Sequence, residues 1–211
     1  AVGSDNGILC DGDNMLLHPA EEEKALFDTM RQEGVVVFDK PEDVDKFREV
    51  LFVNGKSNPA LVGKDAPIIA KAAGFYIPES TKVIALKVSA VGSADILNKE
   101  IMGPVVVTKG YDTFEDAVAM AIQNMEEAGG IGHTAGIFSN DRAHVESYAE
   151  RILEEGIKAY DVQRGGWCVV LDPQTGAVLA MASSPDYDPN QYGTIRDESL
   201  RAQVEADVQA E

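Results

Sequence analysis

Cys10 stands in the stretch SDNGILCDGDN, residues 4–14, among polar residues and glycines rather than in an apolar run. A structural cysteine usually sits in apolar surroundings, so this placement points to chemistry at sulfur. The thiolate is the nucleophilic form, and the backbone N–H groups of a glycine-containing loop lower a thiol's pKa. Those donors could also hold the oxyanion that forms when a carbonyl is attacked. Asp5, Asp11 and Asp13 oppose the thiolate, and an incidental surface thiol is the competing reading. His133 is the second such residue. It follows the glycines of EEAGGIGHTAGIFS and opens an expected strand over 133–139. There it could serve a cleft as base or donor, or be an ordinary surface histidine. The glycines before it follow a helix and precede a strand, the reverse of a dinucleotide-binding loop. Glu100 is the third, in NKEIMGPVVV just before a Gly-Pro turn. Its carboxylate could accept hydrogen bonds from a ribose, or simply be solvated.

Composition narrows the setting. The 211 residues carry a formal net charge of -18, with 45% hydrophobic and 26% charged residues. That balance fits a globular chain with a solvated acidic surface. It argues against non-specific nucleic-acid or anionic-membrane binding, which needs cations. The two cysteines, Cys10 and Cys168, lie far apart and suggest neither a disulfide framework nor a metal-ligand pair. No metal site is expected, and a reducing, cytoplasmic setting fits. No run approaches the roughly 18 apolar residues of a membrane span, and no signal-peptide pattern is visible.

The elements that must position these residues alternate. Strands are expected at 14–18, 35–38, 82–88, 103–110 and 133–139, with helices at 19–34, 41–52, 65–74, 113–130 and 141–156. Pro19 and Pro41 open helices with acidic first turns, and Gly34 and Gly74 close helices. Residues 113–130 are the clearest amphipathic helix, with Phe114, Ala117, Val118, Ala121, Ile122 and Met125 on one face. Such alternation implies an α/β three-layer sandwich with a mostly parallel sheet. The pattern then changes. GGWCVVLD (165–172) and GAVLAMASS (176–184) flank a Pro-Gln-Thr-Gly turn and read as a C-terminal β-hairpin extension. Cys168 falls in its apolar strand and reads as a buried, inert thiol. Residues 195–211 read as a polar tail, a frayed helix or disordered.

Together the first segments resemble the aldehyde dehydrogenase superfamily, most closely its CoA-acylating branch. SDNGILC is similar to the family's Phe-Asp-Asn-Gly-x-x-Cys nucleophile segment, with Ser4 in place of the aromatic. GFYIPESTKVIALKV resembles Gly-x-x-Val-Pro-x-x-Thr-Lys-Val-Leu. KEIMGPVVV resembles Glu-x-x-x-Pro-Val, and residues 114–139 resemble a helix followed by Gly-Gly-x-Gly-His-Thr-Ala. These matches are collinear over roughly residues 4–145. The resemblance implies Cys10 as thioester-forming nucleophile and His133 as its partner in the CoA step. It also implies Glu100 and Gly132 as cofactor-binding positions, NAD and coenzyme A as cofactors, and a small aldehyde or acyl-CoA as substrate. The family's N-terminal cofactor domain, with the side-chain amide of its oxyanion hole, has no match in these residues.

The C-terminal stretch RGGWCVVLDPQTGAVLAMASSPDYDPNQY resembles the opening hairpin of a penicillin-binding-protein transpeptidase domain. The acyl-serine motifs Ser-x-x-Lys and Lys-Thr-Gly do not occur in the chain. The expected organisation is therefore a catalytic domain over residues 1–155 without its cofactor domain, and a hairpin extension with a polar tail over 156–211. The hairpin could join copies of the chain into a homo-oligomer. The alternatives are a non-catalytic α/β scaffold, or a chimeric fragment, acting as a binding or assembly module, and a penicillin-binding-protein fragment.

Overall fold

The structure, a computed structural model, describes residues 2–8, 14–131, 133, 135–159, 166–171 and 178–184. Compactness divides the chain into two units, Ala1–Ala135 and Gly136–Glu211.

The first unit is built as its alternation requires. Strand β1 (Met15–Pro19) leads through a 3-10 turn at Ala20–Glu22 into helix α1 (Glu23–Gln32). Strand β2 (Val36–Phe38) precedes helix α2 (Pro41–Leu51), which starts at a proline and carries Glu42 and Asp43 in its first turn. A two-stranded ribbon follows, β3 (Phe52–Val53) and β4 (Lys56–Ser57), where the sequence had suggested only a loop. Asn54 and Gly55 form its turn, both at positive φ, and that dipeptide is the usual mark of a tight hairpin. Helix α3 (Ala66–Ala72), strand β5 (Ile84–Lys87), strand β6 (Val105–Tyr111) and helix α4 (Phe114–Ala128) complete the unit.

The four long strands form one sheet in the order β1-β6-β5-β2, parallel throughout. Parallel strands buried on both faces read as continuous apolar runs rather than alternating ones. Both faces of this sheet are indeed covered. Ile84, Leu86, Val105 and Val107 pack with Phe47 of α2 and Ile69 of α3 in one cluster. Phe47 stacks on Phe75 at 5.5 Å and tilts against Phe38 at 4.7 Å. On the opposite face Ala85, Val106 and Thr108 are also buried. There α4 packs against β1 and β6, and Phe27 of α1 meets His18 edge-on at 5.9 Å. This is the helix–sheet–helix arrangement the alternation implied.

Among the described residues of 133–139, the expected strand does not form. His133 lies in a bend, and residues 135–139 carry no regular element. That run is mostly exposed, Phe138 at 94%, and among the described residues it has no ladder partner. A short apolar run without a partner leaves its backbone groups to water instead of to a sheet.

The second unit holds helix α5 (Arg142–Ala159) and the antiparallel pair β7 (Gly166–Leu171) and β8 (Val178–Ser184). Val145 and Ala149 of α5 and Ala180 of β8 are buried, and the helix packs on both strands. The hairpin read from the sequence is thus present, while its turn at 173–176 and the tail lie outside the described residues. No described helix is long and apolar enough to cross a membrane.

Candidate functional site

Glu100 lies on the connection between β5 and β6, which crosses back through two 3-10 turns, Gly92–Ala94 and Ile96–Asn98. Its side chain is exposed, while its backbone carbonyl accepts the Ser57 hydroxyl at 2.9 Å. The stretch just before it is held from several directions. Asp95, 7% exposed, accepts Arg48 Nε at 2.9 Å and Nη2 at 2.5 Å, and caps the next turn by accepting Leu97 N–H at 3.1 Å. The same contact to Asp95 raises the Arg48 guanidinium above its ordinary range, against the opposing effect of burial. Asn98 donates its side-chain amide to the carbonyls of Ala90 (3.2 Å) and Gly92 (3.0 Å).

Cys10 and Gly132 lie outside the described residues. The residues flanking Cys10 do not. On the approach side, Asn6 donates to the Gly63 carbonyl at 3.1 Å and to Asp65 at 2.8 Å. Gly7 has φ +69°, and a Cβ there would lie 2.2 Å from the Gly103 carbonyl oxygen. Only glycine fits that approach. On the exit side, Asn14 donates to the carbonyls of Asn98 (3.1 Å) and Lys99 (3.2 Å), and its own carbonyl accepts Val107 N–H at 2.9 Å. Both flanks therefore meet the 98–104 connection that carries Glu100, at the amino-terminal end of β1 and β6.

His133 lies five residues past the end of helix α4. Helix α4 follows β6 and packs back along it. Its 15 residues span about 22 Å, against about 23 Å for the seven of β6. Near its end Asn124 accepts Gly92 N–H at 3.0 Å, and Glu127 accepts both the N–H and hydroxyl of Ser93 at 2.9 Å. These bonds tie the end of α4 to the β5–β6 connection. His133 is exposed, and its N–H donates to the Gly130 carbonyl at 3.1 Å. The Ser93 donors hold the Glu127 carboxyl below its ordinary value.

The carboxyl-terminal ends of the same strands hold a polar cavity of about 440 Å³, lined in part by Glu23, Lys87, Lys109, Tyr111 and Asp116. Glu23, Lys87, Lys109 and Asp116 are engaged locally. Lys87 pairs with Glu23 at 2.6 Å, Lys109 donates to the Gly110 carbonyl at 3.0 Å, and Asp116 closes the capping box of α4. The Tyr111 hydroxyl is raised above its ordinary value by burial and by Glu22. Sequence reasoning singled out neither this cavity nor the polar side chains Asn6, Asn14, Ser57, Arg48 and Asp95. Their partners are distant in sequence, and only the Asn54-Gly55 hairpin that delivers Ser57 had a local mark.

The acetylating succinate-semialdehyde dehydrogenase of Clostridium kluyveri is 43% identical over 150 residues, 71% of this chain and 32% of that protein. This part of the chain is homologous to the acylating aldehyde dehydrogenases. An acetylating aldehyde dehydrogenase from Geobacillus thermoglucosidasius superposes with a TM-score of 0.63 at 27% identity, covering 68% of this chain and 31% of that one. A propionaldehyde dehydrogenase from Rhodopseudomonas palustris, solved with propionyl-CoA bound, shares the fold at 22% identity. Its TM-score is 0.58, over 77% of this chain and 33% of that one. The chain thus spans about a third of the length of these acylating aldehyde dehydrogenases. The model for the penicillin binding protein transpeptidase domain matches residues 166–208.

Proposed function

We propose that residues 1–155 are the catalytic domain of a CoA-acylating aldehyde dehydrogenase, with the cofactor domain lying outside these 211 residues. The observation that carries this reading is the 43% identity over 150 residues to an acetylating dehydrogenase. The meeting of the Cys10 flanks with the Glu100 connection supports it.

In this reading the Cys10 thiolate adds to an aldehyde carbonyl, forming a carbon–sulfur bond and moving the π pair to oxygen. Backbone N–H at Cys10 stabilises that oxyanion. NAD, held in part at Glu100, would supply the acceptor for the hydride lost from the former aldehyde carbon. As the C=O bond re-forms, Cys10 is left carrying a thioester. The CoA thiol gives its proton to His133 and attacks the thioester, releasing acyl-CoA and the Cys10 thiolate. Glu100 fits a ribose-binding role, because its carboxylate is exposed while Ser57 holds its backbone. Gly132 would let the backbone approach the cofactor closely. The reading carries a small aldehyde or acyl-CoA as substrate, a cytoplasmic setting, and assembly into a homo-oligomer through the hairpin.

The CoA half-reaction tests this without NAD. Incubation with acetyl-CoA and peptide mass spectrometry should find an acetyl group on Cys10, removed by added free CoA. Absence of the adduct, with Cys10 alkylated by iodoacetamide no faster than a free thiol, overturns the enzyme reading in favour of the α/β scaffold. The match of residues 166–208 to the transpeptidase model favours a second reading of the C-terminal segment. Covalent labelling by a fluorescent penicillin would support that reading, against the missing Ser-x-x-Lys motif.

A further inference from the structure

Asn14 is the first described residue after Cys10, and its side chain does something unusual for a loop asparagine. Both hydrogens of its amide nitrogen are used, on two successive carbonyls, Asn98 at 3.1 Å and Lys99 at 3.2 Å. Its main chain is held as well, by Val107 N–H on its carbonyl at 2.9 Å. The two carbonyls belong to the residues immediately before Glu100. Their backbone is itself restrained, by Asn98 on Ala90 and Gly92, and by Ser57 on the Glu100 carbonyl. Asn14 therefore ties two chain segments more than eighty residues apart, |i−j| being 84 and 85. One segment leads from Cys10 and the other into Glu100.

We propose that Asn14 is a positioning residue that sets the Cys10 segment against the Glu100 connection. This rests on the reading of Cys10 as the nucleophile. Two groups that must act on one substrate need a fixed separation, and misplacement of about 1 Å costs on the order of a hundredfold in rate. An asparagine suits the task because a carboxamide supplies two donors in one plane, matching two adjacent carbonyls. Aspartate has the same shape but offers only acceptors at neutral pH. It would set a carboxylate against two carbonyl oxygens and lose both bonds.

The test uses the full chain as wild type, Asn14→Ala and Asn14→Asp. Three quantities are read: the rate of Cys10 acetylation by acetyl-CoA, the pH profile of Cys10 alkylation by iodoacetamide, and amide hydrogen exchange across residues 95–104. Both variants should acetylate about tenfold more slowly, since the two bonds that fix this segment are lost. Their alkylation midpoint should move toward the free-thiol value of about 8.5, and exchange near residues 98–100 should rise. A variant that merely loosened the fold would raise exchange alike across residues 95–104 rather than chiefly near 98–100. Should Asn14→Ala not fold, the isosteric Asn14→Asp gives the same three readings. Wild-type acetylation with unchanged rates and midpoint in the variants overturns the role of Asn14 alone. Failure of the wild type to acetylate overturns the nucleophile reading, and with it the proposed role.

Discussion

At the scale of single residues, Asp95 shows how much of the candidate site depends on one contact. Its carboxylate is buried, takes a two-pronged grip from Arg48, and caps the turn that precedes Glu100. Removing one member of a buried pair leaves an uncompensated charge, which costs several kcal/mol. Arg48 is itself only partly covered, 25% exposed at its side chain, so Arg48→Ala should cost about 3 kcal/mol, at the lower end of that range. Urea denaturation measures it, and a loss below about 1 kcal/mol, the level of a surface pair, would refute the claim. Glu127 gives a pH dependence of defined sign. Its carboxyl lies below the ordinary 4.5 because Ser93 donates to it twice. Its contribution is therefore present above that ordinary value and is lost as pH falls through the lowered one. The Ser93 amide resonance should titrate below pH 4.5 in the wild type and stay flat in Glu127→Gln. A Ser93 amide that does not move in acid would sink the assignment. Neither pair was legible in the sequence, because Arg48 and Asp95 are 47 residues apart and Ser93 and Glu127 are 34 apart.

At the scale of elements, helix α4 carries its own start signal. Thr113 and Asp116 bond reciprocally, the hydroxyl accepting Asp116 N–H at 3.1 Å while Asp116 accepts Thr113 N–H at 3.0 Å. Loss of such a cap costs about 1 kcal/mol. Thr113→Ala should lower the unfolding free energy by that amount, and Thr113→Ser should restore most of it. The core strands make a larger demand. Phe47 is fully buried between Phe38 and Phe75, so Phe47→Ala should cost about 3–5 kcal/mol by chemical denaturation. A cost under about 1 kcal/mol would mean that α2 does not pack as described. These elements were readable because capping, proline starts and apolar periodicity are local. The expected strand at 133–139 failed for the opposite reason. Its composition suited a strand, but no described strand pairs with it, and strand formation is a property of the pair.

At the scale of the whole molecule, the chain consists of two compact units, divided after Ala135. Residues 135–141 have no helix or strand and are largely exposed, with Phe138 94% accessible. Brief chymotrypsin treatment should therefore cut first after Phe138, giving two fragments. First cuts inside β6 or α4 would contradict the division. Helix α5 packs on the hairpin that follows it, within the second unit. Readable along the chain are the alternation of elements, the parallel sheet between helices, the C-terminal hairpin, and the similarity of its first part to acylating aldehyde dehydrogenases. Each of these rests on short-range signals, periodicity, caps, turns and ordered motifs, that survive in one dimension. The strand order β1-β6-β5-β2 emerges only from packing in three dimensions. Only that packing joined Asn6, Asn14 and Gly7 to the connection that bears Glu100. Those choices depend on which buried faces match and which carbonyls come within 3 Å of a donor. Such distances arise only once segments far apart in the chain have been packed together.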